Sequence, residues 1–596
     1  MTRSVLYIAA AAIAAAMFNA MPATAAADPD KVLRVSLGDV TSLDPQQGTD
    51  LRSTRVTSHI FEGLYEFDYL ASPAKVVPNT AEAMPQISAD GLTWTIRLKR
   101  GIRFADDPVF KGAPRELVAA DYVYSFKRRL DPNLRNGGSV SLTDLFVGAR
   151  PVVDAARKPG AKFDYDAPID GVRALDRYTL QLKLTHVDYT LLEQMAVIPL
   201  FAVAREAIEA AGSEVMRKPV GTGPFRLVEF RSGSRVVLEA NPHYRTYAYP
   251  ASTDPAHRAL VASMKGRKLP AIGRIEISLI EEQTPEFLAF DQNDLDLLGL
   301  SGEMTSRVLV DGKLKPDYVK RNIAWLRFPA PYITFTYFNI DDSTVGGTTP
   351  AQIALRRAVA MGFNTEELIR VLFNGQALAA NQLLPPQVSG HDTSLPYKSL
   401  YDPAAARALL DRFGFKDRDG DGYRETPDGK PLTLTRGTLP ESWYREADTL
   451  WKKNMDAIGL RMEVEQRKFA ELLNMSLAGK LPMFNLGYRS LDPSGFEILE
   501  TLWGKAPPST NRAHFRNADY DAAYEQFLRT PDGPQRVALA RRMAEIVQNY
   551  VPMTLHTFAI GNALVHPWVD GYWPTAFGLQ WKYLDVDTVK RAASKK

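Results

Sequence analysis

The 596-residue sequence contains no cysteine. This excludes structural disulfides, thiolate metal sites and a lipid anchor attached to an N-terminal cysteine. Neither sign of charge is in large excess, because 72 basic residues face 69 acidic ones and give a formal net charge of +3. The composition therefore predicts neither a nucleic acid nor an anionic membrane as the partner.

Long apolar runs are scarce as well. One run, residues 5–18, follows the cation Arg3 near the N-terminus. About 14 residues span about 21 Å as a helix, which is short of the roughly 20 residues that a bilayer requires. The small residues of segment 23–27 fit the pattern of a signal-peptide cleavage site. We expect residues 1–27 to be an export signal that is cleaved.

Motifs of catalysis are missing from the sequence. The eight histidines are scattered, and there is no nucleophile elbow and no His-Glu-x-x-His zinc motif. Gly221 and Gly223 lack the third glycine and the following helix of a dinucleotide-binding loop. We therefore expect a protein that is not an enzyme and needs no cofactor.

Regular elements of both kinds alternate along the chain. Residues 31–37, 93–98 and 178–184 alternate apolar and polar side chains, which predicts half-buried strands. Residues 50–64, 118–130 and 442–458 have the apolar spacing of amphipathic helices, and residues 332–339 are predicted as a further strand. This alternation favours an α/β or α+β architecture.

The helix predicted over residues 118–130 ends in three cations, Lys127, Arg128 and Arg129. Cations in a last turn complement the helix dipole. We interpret them as a solvated helix end rather than as an anion-binding site.

Several short motifs follow one another in order along the sequence. They are Leu43-Asp44-Pro45, Glu62-Gly63-Leu64, Pro78-Asn79-Thr80-Ala81-Glu82, Asp90-Gly91-Leu92-Thr93-Trp94, Gly101-Ile102-Arg103-Phe104, Val118-Ala119-Ala120-Asp121, Pro219-Val220-Gly221-Thr222-Gly223-Pro224-Phe225 and Trp568-Val569-Asp570-Gly571-Tyr572. In kind, order and spacing they resemble the family 5 extracellular solute-binding proteins of bacterial ABC transporters, the oligopeptide-, dipeptide- and nickel-binding class. The resemblance covers nearly the whole mature chain.

The resemblance implies an α/β fold of the periplasmic-binding-protein type, a two-lobed clamp of class II (cluster C) with an extra subsidiary domain inserted in lobe one. Lobe one would comprise residues 28–66, 216–329 and 554–596. The subsidiary domain would comprise residues 67–215, and lobe two residues 330–553. Hinge closure would bury a ligand in the cleft between the lobes.

The function implied by the resemblance is that of the periplasmic substrate-binding component of an ABC importer. Such a protein would be a monomer that captures a short peptide or a related small molecule and delivers it to the permease subunits in the inner membrane. Two alternatives stay open: a ligand sensor or chaperone-like module without uptake, and a receptor for a non-peptide carboxylated solute.

The resemblance also suggests which residues line the cleft. The candidates come from the loop after the first strand, from the end of a lobe-two strand, from the family's "GW" segment and from the C-terminal crossover. They are Asp39, Val40, Thr41, Arg467, Tyr488, Arg489, Asp492 and His556.

The "GW" segment departs from its relatives. Peptide receptors of the family carry an aspartate there that pairs with the ligand's α-amino group. In this chain Tyr488 replaces the tryptophan, Arg489 follows, and the only acid, Asp492, directly precedes Pro493. Asp492 would suit a ligand amine, and Arg489 would suit a ligand carboxylate. An internal pair between Arg489 and Asp492 is an equal alternative.

An aspartate-rich loop offers one candidate metal site. Asp417, Asp419 and Asp421 occupy positions 1, 3 and 5 of a calcium-loop pattern with Gly422 at position 6, but position 12 is Asp428 instead of glutamate. A calcium site and a plain hairpin are both compatible with this pattern.

Overall fold

The computed structural model describes residues 27–48, 50–135, 137–396, 401–577 and 581–594. The predicted export signal therefore lies outside the described residues, except for Ala27. Within those ranges, no helix combines the length and the apolar character that crossing a membrane demands.

The lobe-one sheet has four strands. Asp28–Leu37 runs parallel to Ile272–Leu279, which pairs antiparallel with Arg235–Ala240, and Phe225–Arg231 forms the other edge. The alternation read from the sequence is confirmed, because Leu33 and its neighbours on the same face are buried in a core beneath the sheet.

The subsidiary domain contains a second four-stranded sheet, with Gln86–Ile87, Thr93–Arg97, Thr179–Lys183 and Val172–Asp176 in that spatial order. All its neighbouring strands are antiparallel. The helix Ala119–Leu130 packs across it and buries Tyr122 and Phe126.

The large sheet has seven strands, and the two longest run through its centre. These two strands, Ala324–Phe338 and Met553–Val565, are called the crossing strands below. They pair antiparallel from Ala324 opposite Val565 to Tyr337 opposite Met553. The other strands of this sheet are Leu297–Leu300, Met483–Arg489, Thr433–Thr438, Arg461–Gln466 and Ala377–Ala379.

The crossing strands connect the two lobes. At one end Leu326 and Val565 pack into the core beneath the lobe-one sheet, and at the other end Phe335 and Tyr337 belong to the core shared by lobe two and the subsidiary domain. The expected lobe boundaries at residues 330 and 554 fall on these strands, and the exact domain limits stay predictions.

The remaining elements cover the sheets and join them. Short two-stranded pairs are Tyr65–Phe67 with Val76–Pro78, Tyr247–Ala248 with Lys268–Leu269, Leu309–Val310 with Lys313–Leu314, and Val569–Asp570 with Asp585–Val586. The other helices are Leu51–Thr57, Val140–Leu145, Ala149–Ala156, Leu191–Gln194, Arg205–Ala211, Arg258–Met264, Gln283–Asp291, Pro316–Lys320, Pro350–Gly362, Thr365–Leu372, Pro403–Arg412, Ser442–Asp456, Phe469–Leu477, Phe496–Glu500, Ala518–Leu528, Pro534–Tyr550 and Thr588–Ala593.

The three cations that end the helix Ala119–Leu130 are not a solvated helix end, so that interpretation was wrong. Arg128 is 2% exposed, and its guanidinium donates to both carboxylate oxygens of Asp44 at 3.0 and 2.7 Å. Lys127 Nζ donates to two backbone carbonyls at 2.8 and 2.7 Å. The segment that contains the Leu-Asp-Pro motif folds over this helix end and removes it from water.

We expect Asp44→Asn to lower the free energy of unfolding by about 3 kcal/mol or more, because it leaves the Arg128 guanidinium buried without a compensating charge. Urea denaturation followed by circular dichroism measures this loss. Asp166→Asn is the matched control, since its ion pair with Arg205 lies at the surface. Equal stability of the two variants would contradict a structural role for the Asp44–Arg128 pair.

Candidate ligand-binding cleft

A cavity of about 440 Å³ lies between the subsidiary domain and lobe two. Alternate residues of the large sheet form one wall, since side chains of a strand alternate between its two faces. From the large sheet come Phe335, Tyr337, Leu486, Tyr488 and Met553, and from the subsidiary domain come Arg129, Leu142, Gln194, Val197 and Leu200.

The two sides of this cavity are in direct contact beside it. The Tyr189 N–H of the subsidiary domain donates to the Leu528 carbonyl of lobe two at 2.9 Å. Glu193 Oε1 lies 3.5 Å from Arg536 Nη1 in a buried ion pair. Burial raises the pKa of Glu193 to about 8, and Arg536 opposes this rise. The subsidiary domain and lobe two therefore touch each other beside the cavity.

Acidic groups outnumber basic ones in the cavity wall. Asp492, Glu497 and Glu500 face Arg129 and Arg512. Burial raises the pKa of Glu497 to about 8, Asp492 and Glu500 raise it further, and Arg129 lowers it. Burial also raises the pKa of Glu500. Without a cation to compensate them, these carboxyl groups are held towards their protonated form.

Asp492 is 3% exposed and lines the cavity. Its Oδ1 accepts the backbone N–H of Ser494 at 2.8 Å and also the Ser494 hydroxyl. Its Oδ2 accepts no hydrogen bond from any residue that the structure describes. The internal pair of Arg489 with Asp492 that the sequence allowed is absent, so that alternative was wrong.

Tyr488 and Arg489 are successive residues of the strand Met483–Arg489 and therefore point to opposite faces of the sheet. Tyr488 lines the cavity, and burial raises its pKa well above the usual value. Arg489 is half-buried opposite Tyr332 and makes no ion pair within the described ranges. Burial lowers the pKa of Arg489, and repulsion from Arg55 lowers it further.

His556 does not line this cavity, and its role as a cleft residue stays a prediction. It is 2% exposed, shares a hydrogen bond of 2.9 Å with Thr336 Oγ1, and meets the rings of Phe363 and Trp451 edge to face. Burial lowers its pKa to about 3, and Arg436 adds to that effect. His556 is thus a neutral core residue on the face of the sheet away from the cavity.

Arg467 is exposed and does not line the cavity. Its Nε donates to Glu465 Oε1 at 2.6 Å on the outer strand of the large sheet. Phe469, two residues further on, is the residue of this segment that reaches the cavity wall. The segment thus reaches the cavity through Phe469, and the role of Arg467 in ligand binding stays a prediction.

The loop after the first strand has internal partners for its backbone donors. The N–H of Asp39 donates to Glu281 at 2.6 Å, that of Val40 to the Asp39 carboxylate at 3.0 Å, and that of Thr41 to Ser53 Oγ at 3.0 Å. A ligand would have to displace these acceptors, and the role of this loop stays a prediction.

The aspartate-rich loop folds differently from the predicted set. Carboxylate oxygens of Asp417, Asp419 and Glu425 lie within 4.8 Å of one another. Asp421 lies outside this group and forms an ion pair with Arg461. Asp417 accepts two backbone N–H groups of its own loop at 2.7 and 3.0 Å. These bonds fit the hairpin interpretation, and calcium binding stays a prediction.

Sequence reasoning did not identify Glu497, Glu500 or Arg129 as site residues. A signal for the glutamates was available, because they are the only polar residues of the helix Phe496–Glu500 and stand three positions apart. Arg129 gave no signal of its own, since it could not be distinguished from its two basic neighbours in the same turn.

Comparisons with known proteins agree with this architecture. Residues 75–510 match the family described as bacterial extracellular solute-binding proteins, family 5 Middle. The chain is 26% identical over 510 residues to di/tripeptide-binding protein 2 of Pseudomonas aeruginosa, covering 82% of this chain and 84% of that one. It is 23% identical to the periplasmic oligopeptide-binding protein OppA of Salmonella typhimurium, covering 94% and 95%.

Among solved structures, the periplasmic binding protein DppA of Helicobacter pylori in complex with the peptide STSA superposes with a TM-score of 0.66 at 20% identity, covering 93% of this chain and 98% of that one. This likeness confirms the fold as the two-lobed α/β clamp. Together with the family match over most of its length, it shows that the chain belongs to the bacterial extracellular solute-binding proteins of family 5.

Proposed function

We propose that the protein is the periplasmic substrate-binding component of an ABC importer and that it captures a short peptide in the cavity between the subsidiary domain and lobe two. The observation that carries this proposal is the cavity itself. Its volume of about 440 Å³ lies within the range of small-ligand sites, and its wall combines apolar and aromatic side chains with a few charged groups.

The main chain beside the cavity supports a peptide in particular. The strand Met483–Arg489 pairs along its whole length with a crossing strand, but on its other side it pairs with Thr433–Thr438 only at Met483 and Phe484. Its remaining residues therefore offer a free strand edge, and Gly487 lies in the cavity wall. An extended peptide could add to this edge through main-chain hydrogen bonds.

One charged group of the wall suits the amino end of a peptide. The Oδ1 atom of Asp492 accepts from Ser494, whereas its Oδ2 atom accepts no hydrogen bond from the described residues and is available to an α-amino group. Arg489 lies on the other face of the sheet from Tyr488 and does not line the cavity, so its pairing with a ligand carboxylate stays a prediction.

Ligand capture would operate by closure about the crossing strands. Their register is interrupted between Pro329 and Ile333, where prolines remove backbone donors from the ladder. A ligand that contacts both walls binds the closed form more tightly than the open form and so shifts the equilibrium towards closure. The permease subunits would then receive the closed, loaded protein.

The remaining parts of this proposal follow from the same role. The protein acts in the periplasm as a monomer after removal of residues 1–27, it delivers the ligand without chemical change, and its partners are the permease subunits of the inner membrane. No feature of the described residues favours the sensor or chaperone alternative over transport.

We expect the mature protein, purified without denaturation, to carry a mixture of short peptides. Native mass spectrometry followed by ligand release and fragmentation identifies them. A single non-peptide acid in place of the peptides would overturn the peptide assignment and favour a receptor for a carboxylated solute.

We expect Asp492→Asn to weaken the binding of Ala-Ala-Ala by about tenfold or more, because a charge-assisted hydrogen bond to the amino group is lost. The asparagine side-chain oxygen can still accept from Ser494, so the loop keeps its shape. Isothermal titration calorimetry gives the dissociation constants. The N-acetylated peptide serves as the control, and an equal loss for both peptides would exclude Asp492 as the amine partner.

A further inference from the structure

Two carboxylates in the cavity wall make no hydrogen bond and no ion pair with the described residues. Glu497 and Glu500 stand three residues apart on the helix Phe496–Glu500, so both lie on the same side of it, and both line the cavity. Neither side-chain carboxylate accepts a hydrogen bond from, or forms an ion pair with, any residue that the structure describes. The Oδ2 atom of the buried Asp492 adds a further unused acceptor in the same wall.

Unpaired carboxylates in such a place are unfavourable. Removing an ionised carboxylate from water costs free energy unless a donor or a cation compensates. The raised pKa values of Glu497 and Glu500 reflect this cost, since burial is the largest cause in both. Apolar residues would be less costly at these two positions, and a bound cation would compensate the two acids.

The cations of the wall do not supply this compensation fully. Arg129 lowers the pKa of Glu497, but its effect is the smallest of those that act on this carboxyl group, and burial is the largest. Arg512 donates to Ser476 at 3.4 Å and influences Tyr337 rather than either glutamate. Glu500 therefore has no cation beside it among the residues described.

We propose that Glu497 and Glu500 form a subsite for a second positive charge on the ligand, so that the protein selects peptides with a basic side chain, a primary ammonium or a guanidinium. This inference rests on the proposed function, because it assigns the cavity to a peptide. It is separate from the amine partner Asp492, which accounts for one positive charge only.

The rest of the wall fits a basic side chain better than a small hydrated cation. Phe335, Tyr337 and Leu486 present apolar surface against which the methylene stem of a lysine or an arginine can pack. The aromatic rings also offer their faces to a cation. A small metal ion would gain nothing from these groups, because hard cations require a shell of oxygen ligands.

The test compares Ala-Lys-Ala and Ala-Ala-Lys with the same peptides in which norleucine replaces lysine. Norleucine keeps the methylene stem and lacks the ammonium. Titration calorimetry on the mature protein should show that the better lysine peptide binds about tenfold or more tightly than its norleucine counterpart. In the double variant Glu497→Gln/Glu500→Gln, this preference should fall below about threefold, while the norleucine peptides bind at least as tightly as before.

The matched control is Glu463→Gln. It makes the same kind of substitution once, at an exposed position of the strand Arg461–Gln466, and should leave the preference unchanged. Equal thermal unfolding of the variants shows that the double variant is folded. Equal binding of lysine and norleucine peptides by the wild type, or a preference that survives in the folded double variant, overturns the subsite and leaves the peptide-binding function standing.

Failure of the proposed function gives a different result, since then none of the four peptides binds. In that case titration with free lysine and with putrescine decides the subsite. Binding that is lost in the double variant supports a cation subsite for a non-peptide ligand, whereas no binding of either compound overturns both proposals.

Discussion

The pairing of the two crossing strands determines where the site lies. The strand Met483–Arg489 pairs along its length with Ala324–Phe338, which pairs in turn with Met553–Val565. This register places Tyr488, Phe335 and Met553 on the same face of the sheet, where they form the apolar wall of the cavity. A shift by one residue would turn Tyr488 away and bring Arg489 into the cavity, because side chains alternate along a strand. The register of these strands therefore decides which side chains line the cavity and, through them, which ligand fits.

A second constraint concerns the charges around the cavity, which fall into two groups. Arg128 is buried and bonded to both oxygens of Asp44, so its charge is compensated inside the scaffold. That pair holds the end of the helix Ala119–Leu130 and thereby positions the next residue, Arg129, at the cavity wall. Glu497 and Glu500 in the opposite wall have no such partner. Residues whose charge is compensated within the chain thus stabilise the fold, whereas residues whose charge is not compensated are available to a ligand.

Local patterns in the sequence were sufficient for most elements and insufficient where distant segments meet. Alternation predicted the strands at residues 93–98 and 178–184, and the structure has Thr93–Arg97 and Thr179–Lys183. It predicted a strand only from residue 332, because prolines at 329 and 331 are unusual in a strand, yet the crossing strand begins at Ala324. The helix expected over residues 50–64 ends already at Thr57.

The prediction of site residues was limited in the same way, because local patterns do not show which distant segments meet. Tyr488 and Asp492, which were chosen from a motif that resembles the family, line the cavity, whereas His556 lies at an irregularity in the register of the crossing strands. Thr334 pairs with Thr557, but the next residue, Phe335, pairs with Leu555, so His556 falls at the irregularity and faces the other side of the sheet. Periodicity alone does not reveal such a bulge. The unpaired state of Glu497 depends on which residues surround it in space, and that information is not local.

The buried ion pair between the subsidiary domain and lobe two is incompletely satisfied. Arg536 is fully buried 3.5 Å from Glu193, and none of its side-chain nitrogens has a hydrogen-bond partner in the described part of the chain. A buried pair with such geometry recovers little of the free energy lost on removing both charges from water. The apolar side chains that the two units share, among them Leu191 and Phe527, therefore contribute more to holding them together than this pair does. A ligand that touches both walls of the cavity would strengthen this contact further.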